Sequence, residues 1–387
     1  MNLELSEEQA AVRDLAASFT DREIVPYAAE WDRAESVDRA IVGKLAKVGF
    51  LGLTIPEEYG GSGGDHLAYC LVLEELGRGD SAVRGIVSVS LGLVGKSVNT
   101  FGTEEQKRHW LPRLTSGEAL ACFALTEPGT GSDAANLTTR AVRDGEDWLI
   151  SGAKTFITNG TWADVALVFA RTGGDAPEQR GHRGITAFLV PTDPPGFTRT
   201  EIHGKLGLRG QATAGLTFED VRVPDSARLG EVGKGFSVAM AALAKGRMSV
   251  AAGCVGIARA CLEAAVRYAG EREQFGRPIA SHQLVQELLA GIAVDVEAAR
   301  LLTWKVADHI ERGLPFATES SVAKLYASEA AVRAANNALQ VFGGYGFIDE
   351  YPVGKYLRDA RVMTLYEGTS QIHQLLIGRA LTGVNAF

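Results

Sequence analysis

The sequence predicts a multidomain α+β protein: an N-terminal helical domain, a middle antiparallel β-barrel or sandwich domain, and a C-terminal four-helix-bundle-like domain. Two observations carry this. Apolar residues recur with a helical period over roughly the first 120 residues, switch to a period of two until about residue 230, and then return to the helical period. A chain of 387 residues also suits roughly two to three domains. The boundaries expected from the pattern are 1–121, 122–234 and 235–387.

Each element has a local reason. Ser6 as N-cap with Gln9 three residues later forms a capping-box signature, and Val12, Leu15, Ala16 and Phe19 make the apolar stripe behind it. Pro26 stops or kinks that helix. Further helical patterns run through Ile41, Leu45 and Val48 before Gly49, and from Leu67 to Leu76 before Gly77, where glycine suits a C-terminal cap. Thr139 and Ala141 on one side and Trp148–Ile150 on the other flank Asp144-Gly145, a hairpin signal. Short β-rich runs follow at Val165–Phe169, Ile185–Val190, Phe197–Ile202 and Leu216–Val223, between Gly/Pro/Asp-rich loops. Long Ala-rich helical patterns then cover 236–270, 281–312 and 317–341.

Composition narrows the function. With 39 Lys plus Arg against 47 Asp plus Glu, the net charge is −8 and the pI about 5.5, a poor basis for binding nucleic acid or an anionic membrane. No uninterrupted apolar run of roughly 18 residues or more is present, and the first ten residues hold acids where a signal peptide holds bases. A soluble, cytoplasmic protein is expected. Cys70, Cys122, Cys254 and Cys261 form no CxxC pair and read as buried free thiols. The histidines are scattered without HExxH, so no metal site is expected. Glycine is in excess, 45 of 387 residues against a usual share of roughly 7%.

Neither GxxxxGK[ST] nor a strand–GxGxxG–helix fingerprint occurs, so a nucleotide would have to be held by other means. Four segments stand out. In Leu125–Asp133, Gly129 and Gly131 free backbone N–H groups beside the Thr126 and Ser132 hydroxyls; it reads equally as an interdomain turn. In Lys154–Asn159, Phe156 and Thr158 share one strand face and could flank a flat ring, or belong to an ordinary strand. Gln340–Gly346 holds more glycine than one helix cap needs. In Leu365–Gln371, Glu367 precedes Gly368 and a Thr/Ser cap; it is either a dipole partner of the last helix or, in an apolar pocket, a general base.

In order and along nearly the whole chain, these segments resemble the acyl-CoA dehydrogenase family of flavoproteins. Two signatures are specific: Leu125–Asp133, and Gln340-x-x-Gly343-Gly344-x-Gly346-Phe347 continuing through Glu350 and Lys355 to Asp359. The resemblance implies FAD held without a Rossmann fold and an acyl-CoA substrate of short or branched chain. It implies an electron-transferring flavoprotein as acceptor and a homo-oligomer, expected as a homotetramer. Leu125, Thr126, Gly131 and Ser132 would line the flavin and pyrophosphate, with Ser132 also near the acyl-CoA chain. Phe156 and Thr158 would flank the isoalloxazine ring. Arg272, Phe275, Gln283, Gln340, Gly343 and Gly344 would meet the FAD of another protomer, with Thr369 and Gln371 also at FAD-contacting positions. Arg247 and Gly368 match substrate-side positions. Glu367 matches the base that takes the α-proton while the β-hydrogen leaves as hydride to flavin N5, giving a trans-2-enoyl thioester. Some members carry the base at the position of Gly246 instead, so here Glu367 has no rival. The changes at Gln211, Ala214 and Ala244 leave open a specialised relative acting on a carrier-protein thioester or using oxygen as acceptor.

Overall fold

The computed structural model describes residues 4–173 and 181–385. The helices are α1 (Glu7–Glu23), α2 (Ala28–Ala34), α3 (Ile41–Lys47), α4 (His66–Gly79), α5 (Ser81–Val87), α6 (Lys96–Phe101), α7 (Glu104–Thr115), α8 (Gly235–Glu271), α9 (Gln283–Glu311), α10 (Ala317–Phe342), α11 (Val353–Met363) and α12 (Ser370–Thr382). Between α5 and α6, Ser88–Gly95 continues the helix as a π segment, a local widening that recurs at functional sites. The strands are β1 (Ala121–Ala124), β2 (Arg140–Asp144), β3 (Asp147–Thr158), β4 (Val165–Arg171), β5 (Ile185–Pro191), β6 (Phe197–Glu201), β7 (Thr213–Pro224), β8 (Arg228–Leu229), and the short pair β9 (Glu273–Gln274) and β10 (Arg277–Pro278).

The capping box at Ser6 and Gln9 forms as expected, and Asp144-Gly145 turns β2 into β3 with Asp144 opposite Asp147. Gly77 is not a cap. It lies inside α4, where an added Cβ would stand 2.7 Å from the Gly253 carbonyl oxygen; on α8 a Cβ at Gly256 would stand 2.1 Å from that of Glu74. These glycines let the backbones of α4 and α8 touch, so the helix continues past the residue that reads as its end.

The middle strands form one sheet in the order β6-β7-β3-β2-β4-β5-β8, with β1 also beside β4. The sheet is mixed rather than wholly antiparallel. β1 arrives from the helical part and pairs parallel to β4, from Ala121 opposite Val165 to Ala124 opposite Val168, and the end of β2 is parallel to β4 as well. One apolar core fills the helical parts and reaches under the sheet, and a second, with Trp148, Ile150, Phe188 and Phe218, packs on the sheet itself. Two helical stretches, Ser81–Phe101 and Gly235–Glu271, are long and apolar enough to cross a membrane; the most apolar 18 residues of the first are wholly buried in the helical core and those of the second largely so. The four cysteines are free and buried, as their spacing suggested.

Candidate active site

Glu367 sits in the turn between α11 and α12, at φ 51°, and is followed by Gly368 at φ 100°. Both angles lie in the left-handed region that costs a non-glycine residue energy. A Cβ at Gly368 would also stand 3.0 Å from the His373 ring, so only glycine fits. The turn is tied down at both ends. Thr369 caps α12 by accepting from the Ile372 N–H at 3.3 Å, and Lys324 Nζ, from α10, donates to the Gly368 carbonyl at 2.7 Å.

This strained turn presents the Glu367 carboxylate to α8 and the π segment. A Cβ at Gly246 would lie 2.3 Å from Glu367 Oε2 and 2.7 Å from Leu93 Cδ2, so Gly246 is the space the carboxylate occupies. Oε2 is buried without a hydrogen-bond partner. Burial pushes this carboxyl up to about 7, against the opposing pull of the Arg84, Lys324 and Arg247 cations. Arg247, on α8, reaches Ser321 Oγ only at 3.4 Å, and its Nε has no partner. Arg84, on α5, crosses Gly253 and donates from Nη2 to the Tyr366 hydroxyl at 2.6 Å.

The sheet supplies the other wall. β3 is bulged between Lys154 and Ile157, and at this irregularity Phe156 has φ 57° and is 68% exposed. An aromatic side chain held outward on strained backbone is costly unless something stacks on it. Thr158, on the same face, donates to Gln211 Oε1 at 3.2 Å, while Gln211 Nε2 is buried without a partner. Gln211 lies directly against Gly85, where a Cβ would be 2.1 Å from Nε2. Helix α5 therefore joins the two walls, with Arg84 towards Glu367 and Gly85 against Gln211 and Thr158.

The Leu125–Asp133 loop runs beside them. It is pinned by a fully buried ion pair: Lys154 Nζ donates to Glu127 Oε1 at 2.8 Å and to the Leu125 carbonyl at 3.1 Å. Glu127 also accepts from the Thr138 and Thr139 N–H groups. Burial would raise its pKa, but Lys154 and these donors overcome that and hold it near 2. Thr126 is fixed by its carbonyl, which accepts from Thr155 N–H at 2.9 Å. Beyond this clamp Gly129 and Gly131 face open space and Ser132 is exposed.

A second cluster belongs to the helical end of the chain. Arg272, Gly343 and Gly344 line a cleft of about 430 Å³ with Tyr268, Phe342 and Tyr345. Gln340 accepts the Gly343 N–H. Phe275, 92% exposed at φ 54°, follows β9, and Gln283 opens α9. No strand of the large sheet contributes to that cleft. The expected residues thus fall into two groups: one around Glu367 and the Phe156 face, and one around Arg272 and Gly343. Gln371 is exposed in the first turn of α12.

Motif reading passed over Arg84, Lys324 and the Lys154–Glu127 pair. A signal for Arg84 exists: with Lys96 it is one of two charged residues in Ser81–Phe101, which is otherwise free of charge. Lys324 carries no such mark.

An exposed aromatic and a hydroxyl on one strand face, an unpartnered amide behind them, and glycines opening the adjacent loop all fit a flat cofactor, and the same chain holds a buried carboxylate poised near neutrality. Fold and site define a flavin-dependent oxidoreductase. The comparisons give the family: the N-terminal, middle and C-terminal domain models of acyl-CoA dehydrogenase match residues 6–118, 122–221 and 233–382. An acyl-CoA dehydrogenase of Bacillus subtilis is 44% identical, over 98% of this chain and all of that protein. The mitochondrial short-chain specific acyl-CoA dehydrogenase of Rattus norvegicus is 42% identical, over 97% of this chain and 90% of that protein. A solved glutaryl-CoA dehydrogenase of Mycobacterium smegmatis in complex with FADH2 is 37% identical, with a TM-score of 0.94 over 99% of this chain and 96% of that one. The chain belongs to the acyl-CoA dehydrogenase family, and FAD is its cofactor.

Proposed function

We propose that this enzyme removes the α- and β-hydrogens of an acyl-CoA thioester to give the trans-2-enoyl-CoA, with Glu367 as the base for the α-proton. The observation that carries the reading is the Glu367 carboxylate, poised near 7 with Oε2 unpartnered in the space left by Gly246. A carboxylate at its ordinary pKa is a poor match for a weakly acidic C–H; desolvation strengthens it as a base. Arg84, Lys324 and Arg247 supply positive potential where enolate-like charge develops on the thioester. FAD, when bound, supplies the hydride acceptor.

Leu125, Thr126, Gly131, Ser132, Phe156 and Thr158 would hold the flavin and its pyrophosphate, with Ser132, Arg247 and Gly368 on the substrate side. Arg272, Phe275, Gln283, Gln340, Gly343 and Gly344 would meet the FAD of a neighbouring protomer, helped by Thr369 and Gln371; the separate cleft and the exposed Phe275 support this. A homotetramer, domain limits at 121 and 234, an electron-transferring flavoprotein as acceptor and a cytoplasmic location belong to the same reading.

The test is Glu367→Gln. The purified variant should keep bound FAD yet lose acyl-CoA-dependent flavin bleaching by at least about 1,000-fold. Bleaching near the wild-type rate would remove Glu367 from its role.

A further inference from the structure

We propose that Gln211 is a positioning residue: it engages the proton of the Thr158 hydroxyl, so that Thr158 offers the flavin a lone pair and thereby favours the reduced cofactor. This rests on the acyl-CoA dehydrogenase reading, which sets the isoalloxazine ring against Phe156 and Thr158.

Gln211 is 6% exposed and leaves the backbone at a tight turn. Its N–H donates to the Leu208 carbonyl at 3.0 Å, its own carbonyl accepts from Thr213 N–H at 2.8 Å, and Leu208 has φ 48°. Thr158 and Thr213 stand opposite each other on β3 and β7. Both hydroxyls donate to Gln211 Oε1, at 3.2 and 3.4 Å. A hydroxyl has one proton. That of Thr158 is committed to Gln211, so lone pairs are what this half-buried residue has left to present.

The arrangement is costly to the fold. Gln211 Nε2 is buried without a partner, and an orphan donor is worse than an apolar atom in the same place. Helix α5 also gives up a side chain to admit the amide, because a Cβ at Gly85 would stand 2.1 Å from Nε2. A leucine would fill much of this volume without burying an orphan donor. What it lacks is the acceptor oxygen. The strands do not need that oxygen to meet, since β3 and β7 pair through their backbones from Asp147 opposite Pro224 to Thr158 opposite Thr213. Oxidised isoalloxazine has unprotonated ring nitrogens that accept hydrogen bonds, and two-electron reduction adds an N–H that donates. A freely turning hydroxyl serves either state. One whose proton is held by Gln211 can accept but not donate, and is matched to the reduced state.

The experiment uses the FAD-loaded enzyme and measures the two-electron flavin potential anaerobically against a reference dye, with flavin spectrum, FAD content and melting temperature recorded alongside. Gln211→Leu frees the Thr158 proton and should lower the reduced-to-oxidised ratio at a fixed dye potential by about 10-fold, equivalent to about 30 mV. Gly85→Ala pushes the amide from its seat and should shift the ratio the same way; should Gln211→Leu not fold or not hold FAD, it carries the comparison. Thr158→Val removes the lone pair and should lower the ratio too, and in that background Gln211→Leu should change nothing further. A ratio that stays or rises in Gln211→Leu, or in Gly85→Ala where that stands in, overturns this inference alone, as does an equal fall with and without the Thr158 hydroxyl. Wild-type potential and spectrum in Thr158→Val overturn the placement of the flavin on this face with it.

Discussion

Lys324 Nζ and the Gly368 carbonyl oxygen are 2.7 Å apart, and this bond ties the N-terminal third of α10 to the turn that aims Glu367. The turn is strained at two successive residues, so it needs an outside hold. The lysine supplies both a donor and a charge. Its own pKa is lowered to about 8 by burial, which the nearby Cys254 and Glu367 oppose.

Replacing Lys324 with Gln therefore has two expected effects. The turn loses a charge-assisted hydrogen bond, so kcat should fall by roughly 10- to 100-fold. Glu367 loses one of the cations that hold its pKa down, so the acidic limb of the pH–rate profile should move to higher pH. Lys324→Arg should restore the limb. A limb that stays in place in Lys324→Gln would reduce the lysine to a packing role.

The pH dependence of the native enzyme follows from the same group. Glu367 must be ionised to take a proton, so kcat/KM should rise with pH through about 7 and level off above it. Stability should run the other way. The folded state holds the Glu367 proton more tightly than the unfolded state, where the value is near 4.5, so stability is lost as pH rises from there through about 7. Glu367→Gln removes that loss and should be more stable than wild type at pH 8, by up to about 3 kcal/mol, and little different at pH 4. Thermal melts at the two pH values check the sign.

Gly246→Ala probes the space beside the base. Its Cβ would fall 2.3 Å from Glu367 Oε2, so the carboxylate must swing away. Since about 1 Å of misplacement can cost on the order of 100-fold, activity should drop by about that factor while flavin content stays near wild type.

Lys154→Met separates the cofactor wall from the base. It leaves Glu127 charged and buried without its ion partner, a loss of roughly 3–5 kcal/mol. The Leu125–Asp133 loop loses its pin, so FAD should dissociate more readily during gel filtration. A melting temperature within a degree or two of wild type would show the pair to be dispensable.

Much of this was legible in the chain because it is local. A capping box at Ser6, a hairpin turn at Asp144-Gly145 and three long apolar periods each follow from residues a few positions apart. The parallel pairing of β1 with β4 joins residues some 44 positions apart and has no local mark. Gly77 misled for the same reason: its partner, Gly253, is on another helix. At the site, Glu367 was legible from its motif. Of the cations around it only Arg247 was, because Arg84 and Lys324 reach it from two other helices and lie in neither motif.

The four buried cysteines make the molecule its own reporter. Burial pushes the thiols of Cys70, Cys122 and Cys254 up to about 12, and that of Cys261 higher still, so none is a nucleophile while the fold is closed. Cys122 lies in the sheet core, and the other three in the helical core. Alkylation followed by peptide mapping would clock the opening of each core separately. If bound FAD braces the sheet against the helices, adding it should slow labelling of Cys122 and of the helical thiols by the same factor.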